Sequence, residues 1–266
     1  MKLRKMGIYL LIAVLGMGLV SCSQGKTNGS SMEKEKLVLG FDDTFVPMGF
    51  KDEKGEYTGF DIELAKEIGK KLNKEIIFQP IDWSMKETEL NNGNIDFIWN
   101  GYSITEERKE KVDFSNPYLN NRQVIITLSD SEINTKADLQ GAVVGAQNQS
   151  SAVDAIEADG NIIESFKDGS IITFDTNSDA LMDLEAGRLD AVVADEILAK
   201  YYINLRGVDK YKVLDEDFGK EAYAVGMKKG DTKLLEAFNK AFDEVVNEGK
   251  AAEISKKWFG DDIIAK

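Results

Sequence analysis

The stretch Gly101-Tyr102-Ser103-Ile104-Thr105-Glu106-Glu107-Arg108 holds the most chemically specific arrangement in the chain. A glycine, a hydroxyl and the start of a helix present backbone N–H groups at a positive dipole end. Ser103 and Glu106 have the S-x-x-E spacing of a capping box, which predicts a helix opening at Ser103. Arg108 then lies one turn inside that helix, where a planar guanidinium can clamp a carboxylate through two parallel hydrogen bonds. A solvated arginine on a capped surface helix would use the same residues. Far along the chain, Asp195 follows the apolar run Ala191-Val192-Val193-Ala194. It can accept from an ammonium group, or cap a helix over Ile197–Tyr202. One fixed cation and one fixed anion, brought face to face, suit the carboxylate and ammonium of an α-amino acid.

Further groups could line the same space. Asp42 and Phe45 follow the first expected strand and Trp83 the second, and aromatic faces there can sandwich an aliphatic or cationic side chain. Asn100, Gly101 and Tyr102 follow the third. Gln147-Asn148-Gln149-Ser150-Ser151 joins a strand to a helix and offers hydroxyls and N–H groups at another helix start.

Composition narrows the chemistry. The 266 residues include no histidine and a single cysteine, Cys22, which removes His-dependent triads, structural disulfides and Cys-rich metal clusters. No metal and no cofactor is expected. With 47 Asp plus Glu against 33 Lys plus Arg, the formal charge is −14, the wrong sign for a nucleic-acid backbone. At 42% hydrophobic the chain is too apolar to be disordered.

The elements that must position these residues alternate between strand and helix, the pattern of an α/β fold. Leu37–Leu39, Ile76–Phe78 and Ile95–Trp99 read as buried strands, and Phe60–Leu72 as a helix with Ile62, Ala65, Ile68 and Leu72 on one face. Ala142–Gly145, Ile171–Phe174 and Ala191–Val193 repeat that order, with a helix over Ser151–Glu157. A sharper repeat pairs Leu90-Asn91-Asn92-Gly93-Asn94-Ile95-Asp96-Phe97-Ile98 with Leu184-Glu185-Ala186-Gly187-Arg188-Leu189-Asp190-Ala191-Val192. Each reads as a helix end, a left-handed glycine and a buried strand. Two lobes of like construction are expected, with ligand groups beyond the carboxyl ends of their strands. The expected division is 37–120 with 221–266 in lobe 1 and 121–220 in lobe 2, the crossings falling near Tyr118–Gln123 and Phe218–Ala222. A helical stretch over Lys233–Trp258, broken at Gly249, is expected to pack back on the first lobe.

Residues 1–21 read as an export signal. Lys2, Arg4 and Lys5 precede an apolar run from Met6 to Val20, short for a permanent span. Leu19-Val20-Ser21-Cys22 resembles the lipobox of bacterial lipoproteins, so cleavage before Cys22 would leave its thiol for lipidation. Removing residues 1–21 takes away three positive charges and no negative ones, so the mature chain carries −17. Residues 22–36, rich in Gly, Ser, Asn and Lys, are expected to be a flexible tether. The folded part would then be held at the outer face of a membrane, or in the periplasm if the source has two membranes.

Several blocks together resemble the family 3 extracellular solute-binding proteins, the polar amino acid receptors of ABC importers. They are Leu37–Gly40 with Asp42, Phe45 and Pro47; Gly59-Phe60-Asp61-Ile62-Glu63-Leu64; Gly101–Arg108; Asp113-Phe114-Ser115 with Pro117-Tyr118; and Lys257-Trp258-Phe259-Gly260. The likeness runs in order through 37–260. It implies a two-lobed, type II periplasmic-binding fold with two hinge crossovers. It also implies that Arg108 grips the α-carboxylate with help from Ser103, and that Asp195 takes the α-ammonium. Phe45 and Trp83 would form the aromatic wall, and Asp42 and Gln147 would reach the side chain. Asn100 and Tyr102 stand where many relatives carry small or aliphatic residues, and the Gln147–Ser151 loop lacks the glycine that many place before the hydroxyl. Two acceptors between aromatic walls favour a cationic or amide side chain (Arg, Lys, His or Gln), with cystine as an alternative. The expected partners are a free amino acid, an ABC permease and its ATPase, and a membrane through the lipid anchor, with the protein itself a monomer. The rival is an enzyme on the same scaffold, such as a secreted dehydratase, which without histidine would have to use carboxylates. A third reading, the sensor portion of a receptor, is weak, since no later apolar span follows Phe259.

Overall fold

The computed structural model describes residues 29–265. The expected signal segment and Cys22 lie outside the described residues. The first lobe begins with β1 (Lys36–Phe41), followed by a small antiparallel sheet of β2 (Thr44–Phe45), β3 (Gly49–Lys51) and β4 (Tyr57–Thr58). Helix α1 (Phe60–Leu72) leads to β5 (Glu75–Pro80), and α2 (Lys86–Asn92) to β6 (Phe97–Ile98). A short α3 (Glu106–Lys111) and β7 (Val112–Phe114) complete this half. The chain then crosses on β8 (Leu119–Leu128).

The second lobe runs through β9 (Val144–Gln147), α4 (Ser151–Ala158), α5 (Ile162–Ser165), β10 (Ile171–Phe174), α6 (Asn177–Glu185), β11 (Ala191–Asp195) and α7 (Glu196–Arg206). It returns on β12 (Tyr211–Tyr223) to β13 (Gly226–Lys228), α8 (Thr232–Asn247) and α9 (Lys250–Phe259).

The two main sheets have the same plan. Their orders are β5-β1-β6-β13-β7 and β10-β9-β11-β8-β12. In each, three parallel strands lie with the first-met in the middle, and the fourth is antiparallel. That fourth strand always comes from the chain arriving from the other lobe. Crossing strands β8 and β12 are antiparallel neighbours, with Leu119 opposite Tyr223 and Asn121 opposite Glu221.

The L-x-x-G-x-[IL]-D repeat explains part of this likeness. Gly93 and Gly187 take φ of 78° and 68°, the left-handed turn that ends a helix. The aspartate three residues on then does the same work twice. Asp96 accepts from the backbone N–H of Val38 at 2.9 Å, and Asp190 from that of Val143 at 2.7 Å. Each carboxylate thereby pins the incoming strand to the first strand of its lobe.

Both sheets are buried on two faces. Val124, Ile126 and Val192 pack against Ala180, Leu184 and Leu198, while Ile125, Ala191 and Val193 face Ala152, Ile156 and Phe166. This is the alternation of a strand covered on both sides, each such side chain contributing roughly 1.5–3 kcal/mol. In lobe 1, α8 presents Leu234, Phe238, Phe242 and Val245 to the same core as Leu37, Phe97 and α1.

Three expectations change. Residues 29–36 were expected to be loose, yet Ser30 Oγ donates to Asp231 at 2.5 Å and Ser31 Oγ to Asp96 at 2.6 Å. Lys34 Nζ also reaches Asp96 at 2.6 Å. The polar composition of this stretch matches carboxylates on lobe 1, so it docks. The strand expected over Ile95–Trp99 is ordered in the ladder only at Phe97–Ile98. The strand expected over Ala142–Gly145 is shifted to Val144–Gln147, which puts Gln147 at a strand end.

Candidate functional site

The residues at the carboxyl ends of the strands converge on one narrow cleft between the lobes, with a cavity of only about 10 Å³ left between them. Lobe 1 lines it with Asp42, Phe45, Trp83, Asn100, Gly101 and Arg108, and lobe 2 with Gln147, Ser150, Ser151 and Asp195. Ten of the twelve residues expected from sequence therefore share one space. The other two are buried next to it, Tyr102 under Arg108 and Ser103 against Ser151.

Arg108 is held from below. Its guanidinium lies 4.7 Å over the Tyr102 ring, Nη1 donates to the Ser103 carbonyl at 3.0 Å, and Nη2 to the Gln149 carbonyl at 3.3 Å. Tyr102 is fully buried, stacks on Phe114 at 5.2 Å and donates its hydroxyl to Glu87 at 2.9 Å. Burial, above all, pushes the Tyr102 hydroxyl pKa up, so the ring stays neutral. The expected capping box at Ser103 and Glu106 does not form. Thr105 is the N-cap instead, accepting from the Arg108 N–H at 3.2 Å. Ser103 is drawn away by a β-bridge to Tyr223, and its hydroxyl donates to Glu221 at 2.7 Å and sits 3.0 Å from Ser151 Oγ.

Gly101 has φ 60°, and a Cβ there would lie 2.8 Å from the Phe45 ring and 3.1 Å from that of Tyr223. Its N–H was expected to be free. It donates to the buried carboxylate of Asp61 at 2.8 Å, which also accepts from the Tyr118 hydroxyl at 2.9 Å. Desolvation raises the Asp61 pKa to about 7, opposed by these two hydrogen bonds.

At the opposite pole, Asp195 ends β11 and occupies the N-cap position of α7, but its side chain does not cap the helix. Its Oδ1 accepts from Asn121 at 2.6 Å, Gln123 at 3.1 Å and Tyr223 at 2.5 Å. Asn121 and Gln123 also donate to Glu221, at 2.6 and 2.8 Å. Burial, and next the like charge of Glu221, push the Asp195 pKa well above the usual carboxylate range. Sequence reading missed Glu221, Asn121 and Gln123. The i, i+2 spacing of the two amides on a crossing strand is the signal that could have found them, since it puts both on one face.

Asp42 and Gln147 meet across the cleft. Gln147 Nε2 donates to Asp42 at 2.8 Å and its Oε1 accepts from Asn177 at 2.9 Å. Burial raises the Asp42 pKa against the hydrogen bonds from Thr44 and Gln147. Asn100 accepts from the Asp42 N–H at 3.1 Å, tying the first strand's end to the third. The Ser150 hydroxyl is buried without a hydrogen-bond partner, as are the Asn100 amide nitrogen and the carbonyl oxygens of Asn121 and Gln123. Unmet polar groups of this kind cost about 1–3 kcal/mol each, a cost that a polar guest can relieve. Among the described residues, no group of three or more His, Cys, Asp or Glu is placed to hold a metal ion.

Two α/β lobes joined by paired crossing strands, with charged groups converging between them, define a two-lobed binding protein. The chain belongs to the bacterial extracellular solute-binding proteins, family 3, whose model matches residues 37–261. It is 31% identical to the arginine-binding extracellular protein ArtP of Bacillus subtilis, over 97% of this chain and 98% of that one. It is 29% identical to the L-cystine-binding protein TcyJ of Escherichia coli, over 97% and 95%. A solved ABC uptake transporter substrate-binding protein from Streptococcus pneumoniae with bound histidine is 42% identical, with a TM-score of 0.86 over 88% of this chain and 96% of its own. The first two are named for binding an amino acid and the third as the substrate-binding protein of an ABC uptake transporter, which sets aside the dehydratase alternative. Among the described residues, no helix is long and apolar enough to cross a membrane.

Proposed function

We propose that the protein captures a polar L-amino acid with a cationic or amide side chain by closure of its lobes, and delivers it to an ABC permease. Arg108 and Ser103 take the α-carboxylate, and Asp195 the α-ammonium. Phe45 and Trp83 flank the side chain, while Asp42 and Gln147 meet its polar end. The observation that carries this reading is one cleft lined by a guanidinium from lobe 1 and a carboxylate from lobe 2. A guest with both charges contacts both lobes only when they are shut, and that difference in affinity is what moves the population. Shifting it from 1:99 to 99:1 takes about 5.5 kcal/mol of differential binding. The relatives named for arginine and histidine support the side-chain class, and those named for L-cystine make cystine the alternative. In this reading lobe 1 is 37–120 with 221–266, lobe 2 is 121–220, and the protein works as a monomer tethered through a lipidated Cys22.

A thermal-shift panel of the twenty amino acids plus cystine tests the substrate class, since a tight guest raises the melting temperature by mass action. Arginine, lysine, histidine or glutamine is expected to give the largest rise. A largest rise with an acidic or purely aliphatic amino acid defeats the side-chain assignment.

A further inference from the structure

Lys86, at the start of α2 in lobe 1, belongs to no part of the site described so far. It is 2% exposed. Its ammonium group donates to the Trp83 carbonyl at 3.2 Å and, across the cleft, to the Gln149 carbonyl of lobe 2 at 3.1 Å. Arg108 donates to that same Gln149 carbonyl at 3.3 Å. Two buried cations thus flank a single neutral oxygen at the lobe junction. Gln149 itself has φ 52°, a left-handed conformation unusual outside glycine, in the loop that lacks the expected glycine.

The anions around Lys86 are few and poorly placed. Glu87 on its own helix lies 3.5 Å away and is shared with the Tyr102 hydroxyl. Asp154, on α4 of lobe 2, is 3.9 Å from Arg108 and partly exposed. Glu107 on α3 is paired with Lys111 at 2.5 Å. Parting the lobes would break the contact with Gln149, which lies on lobe 2, and open Lys86 to water.

We propose that Lys86 holds the empty protein open, because closure buries it beside Arg108 with only the shared carboxylate of Glu87 close by, until a guest carboxylate adds a second negative charge. The guest's part in this rests on the amino acid reading of the cleft, whereas the resistance to empty closure can be measured with no guest present. Uncompensated burial of a cation is expensive, and a second cation beside it adds repulsion. A carboxylate gripped by Arg108 would neutralise the pair, so occupancy and closure become linked by charge as well as by contact.

The pH dependence follows with a definite sign. Burial, and next the charge of Arg108, lower the Lys86 pKa to about 8 in the closed form. In water a lysine titrates near 10.4. The closed form therefore binds fewer protons than the open one between about pH 8 and 10, and raising the pH favours closure. Asp195, raised to about 7, is already ionised in that window, and burial pushes the Tyr102 hydroxyl above it.

The test is the distance between the lobes of the ligand-free protein, read by single-molecule fluorescence from labels on their outer faces. For the parent, the ratio of closed to open is expected to rise with pH from 8 to 10, by up to about tenfold per unit. For Lys86→Met, which keeps an unbranched side chain of similar length, the empty protein is expected to be about tenfold more closed at pH 7 and to lose the pH dependence. A parent distribution that stays flat or opens over pH 8–10 overturns the proposal, and needs no variant. A folded Lys86→Met protein as open as the parent at pH 7 overturns it too. If either happens while Arg108→Ala still abolishes amino acid binding, the site reading stands and only the role of Lys86 falls.

Discussion

Arg108 and Asp195 bring opposite charges into one narrow space, each by a different route. Arg108 is carried by a helix of only six residues and braced by the Tyr102 ring and the Ser103 carbonyl, so its direction is set by packing. Asp195 is set by a ladder, because Gln123 is its cross-strand partner and Asn121 that of Glu221. Arg108→Ala is expected to weaken amino acid binding by about 2–5 kcal/mol in calorimetry, the usual range for removing one partner of a buried charge pair. Asp195 must be ionised to meet an ammonium group, and its pKa is raised by burial and Glu221. Affinity is therefore expected to fall as the pH drops through the range where Asp195 takes up a proton, a decline that begins above the ordinary carboxylate range. Glu221→Gln should move that decline to lower pH, and an unshifted profile would separate the two carboxylates. Asp61 gives a matching prediction for stability. It is raised to about 7 in the fold, so its contribution is present below pH 4 and lost as the pH rises towards 7. Asp61→Asn, which can still accept from Gly101 and Tyr118, should flatten the fall in urea-denaturation free energy between pH 4 and 7.

Among the elements, the joints between helix and strand explain why the two lobes look alike. The repeated aspartate is a structural pin and has no place in the cleft. The two copies differ in what else they hold: Asp190 accepts from Val143, while Asp96 accepts from Val38, Ser31 and Lys34. Asp190→Ala is expected to cost about 0.5–1.5 kcal/mol, since the bond is exposed and water can take the carboxylate's place at the Val143 N–H. Asp96→Ala should cost more and also free the docked Ser30–Lys34 segment, read as faster hydrogen exchange there. The start of α3 teaches a different lesson. A capping box needs its serine at the helix end, but the β-bridge to Tyr223 claims Ser103 for the sheet, and Thr105 takes over.

For the whole molecule, the paired crossing strands β8 and β12 carry Asn121, Gln123 and Glu221, so in the proposed reading the hinge would supply part of the pole that takes the ammonium group. A change in lobe angle would move these groups relative to Arg108 and Tyr102, which ride on lobe 1. Small-angle scattering is expected to show a smaller radius of gyration when the amino acid with the largest thermal shift is added, at unchanged monomer mass. A lipid-tethered protein should partition with membranes, and Cys22→Ser should release it to the soluble fraction. The Ser30–Lys34 segment bears on this tether. If Cys22 is lipidated, only seven residues lie between it and Ser30, a reach of no more than about 26–29 Å at full extension, so lobe 1 would be kept close to the lipid surface.

Much of this was already contained in the order of the residues, because periodicity, caps and turn glycines are local. Helix α1 spans Phe60–Leu72 as its apolar spacing predicts, and Gly249 interrupts the last helical stretch between α8 and α9. The types of group in the cleft were legible too, since each follows a strand end and loops beyond strand ends are where such folds gather side chains. What the chain order could not express is which groups share a partner. Ser103 bonding Glu221 spans 118 residues, and Lys86 meeting the Gln149 carbonyl spans 63. A lysine in an amphipathic helix reads as a solvated charge, and a glutamate in a crossing strand as a surface residue. Only the closing of two lobes on one another removes the water that would otherwise satisfy them. The burial of Lys86 and the lowering of its pKa are therefore decided in three dimensions.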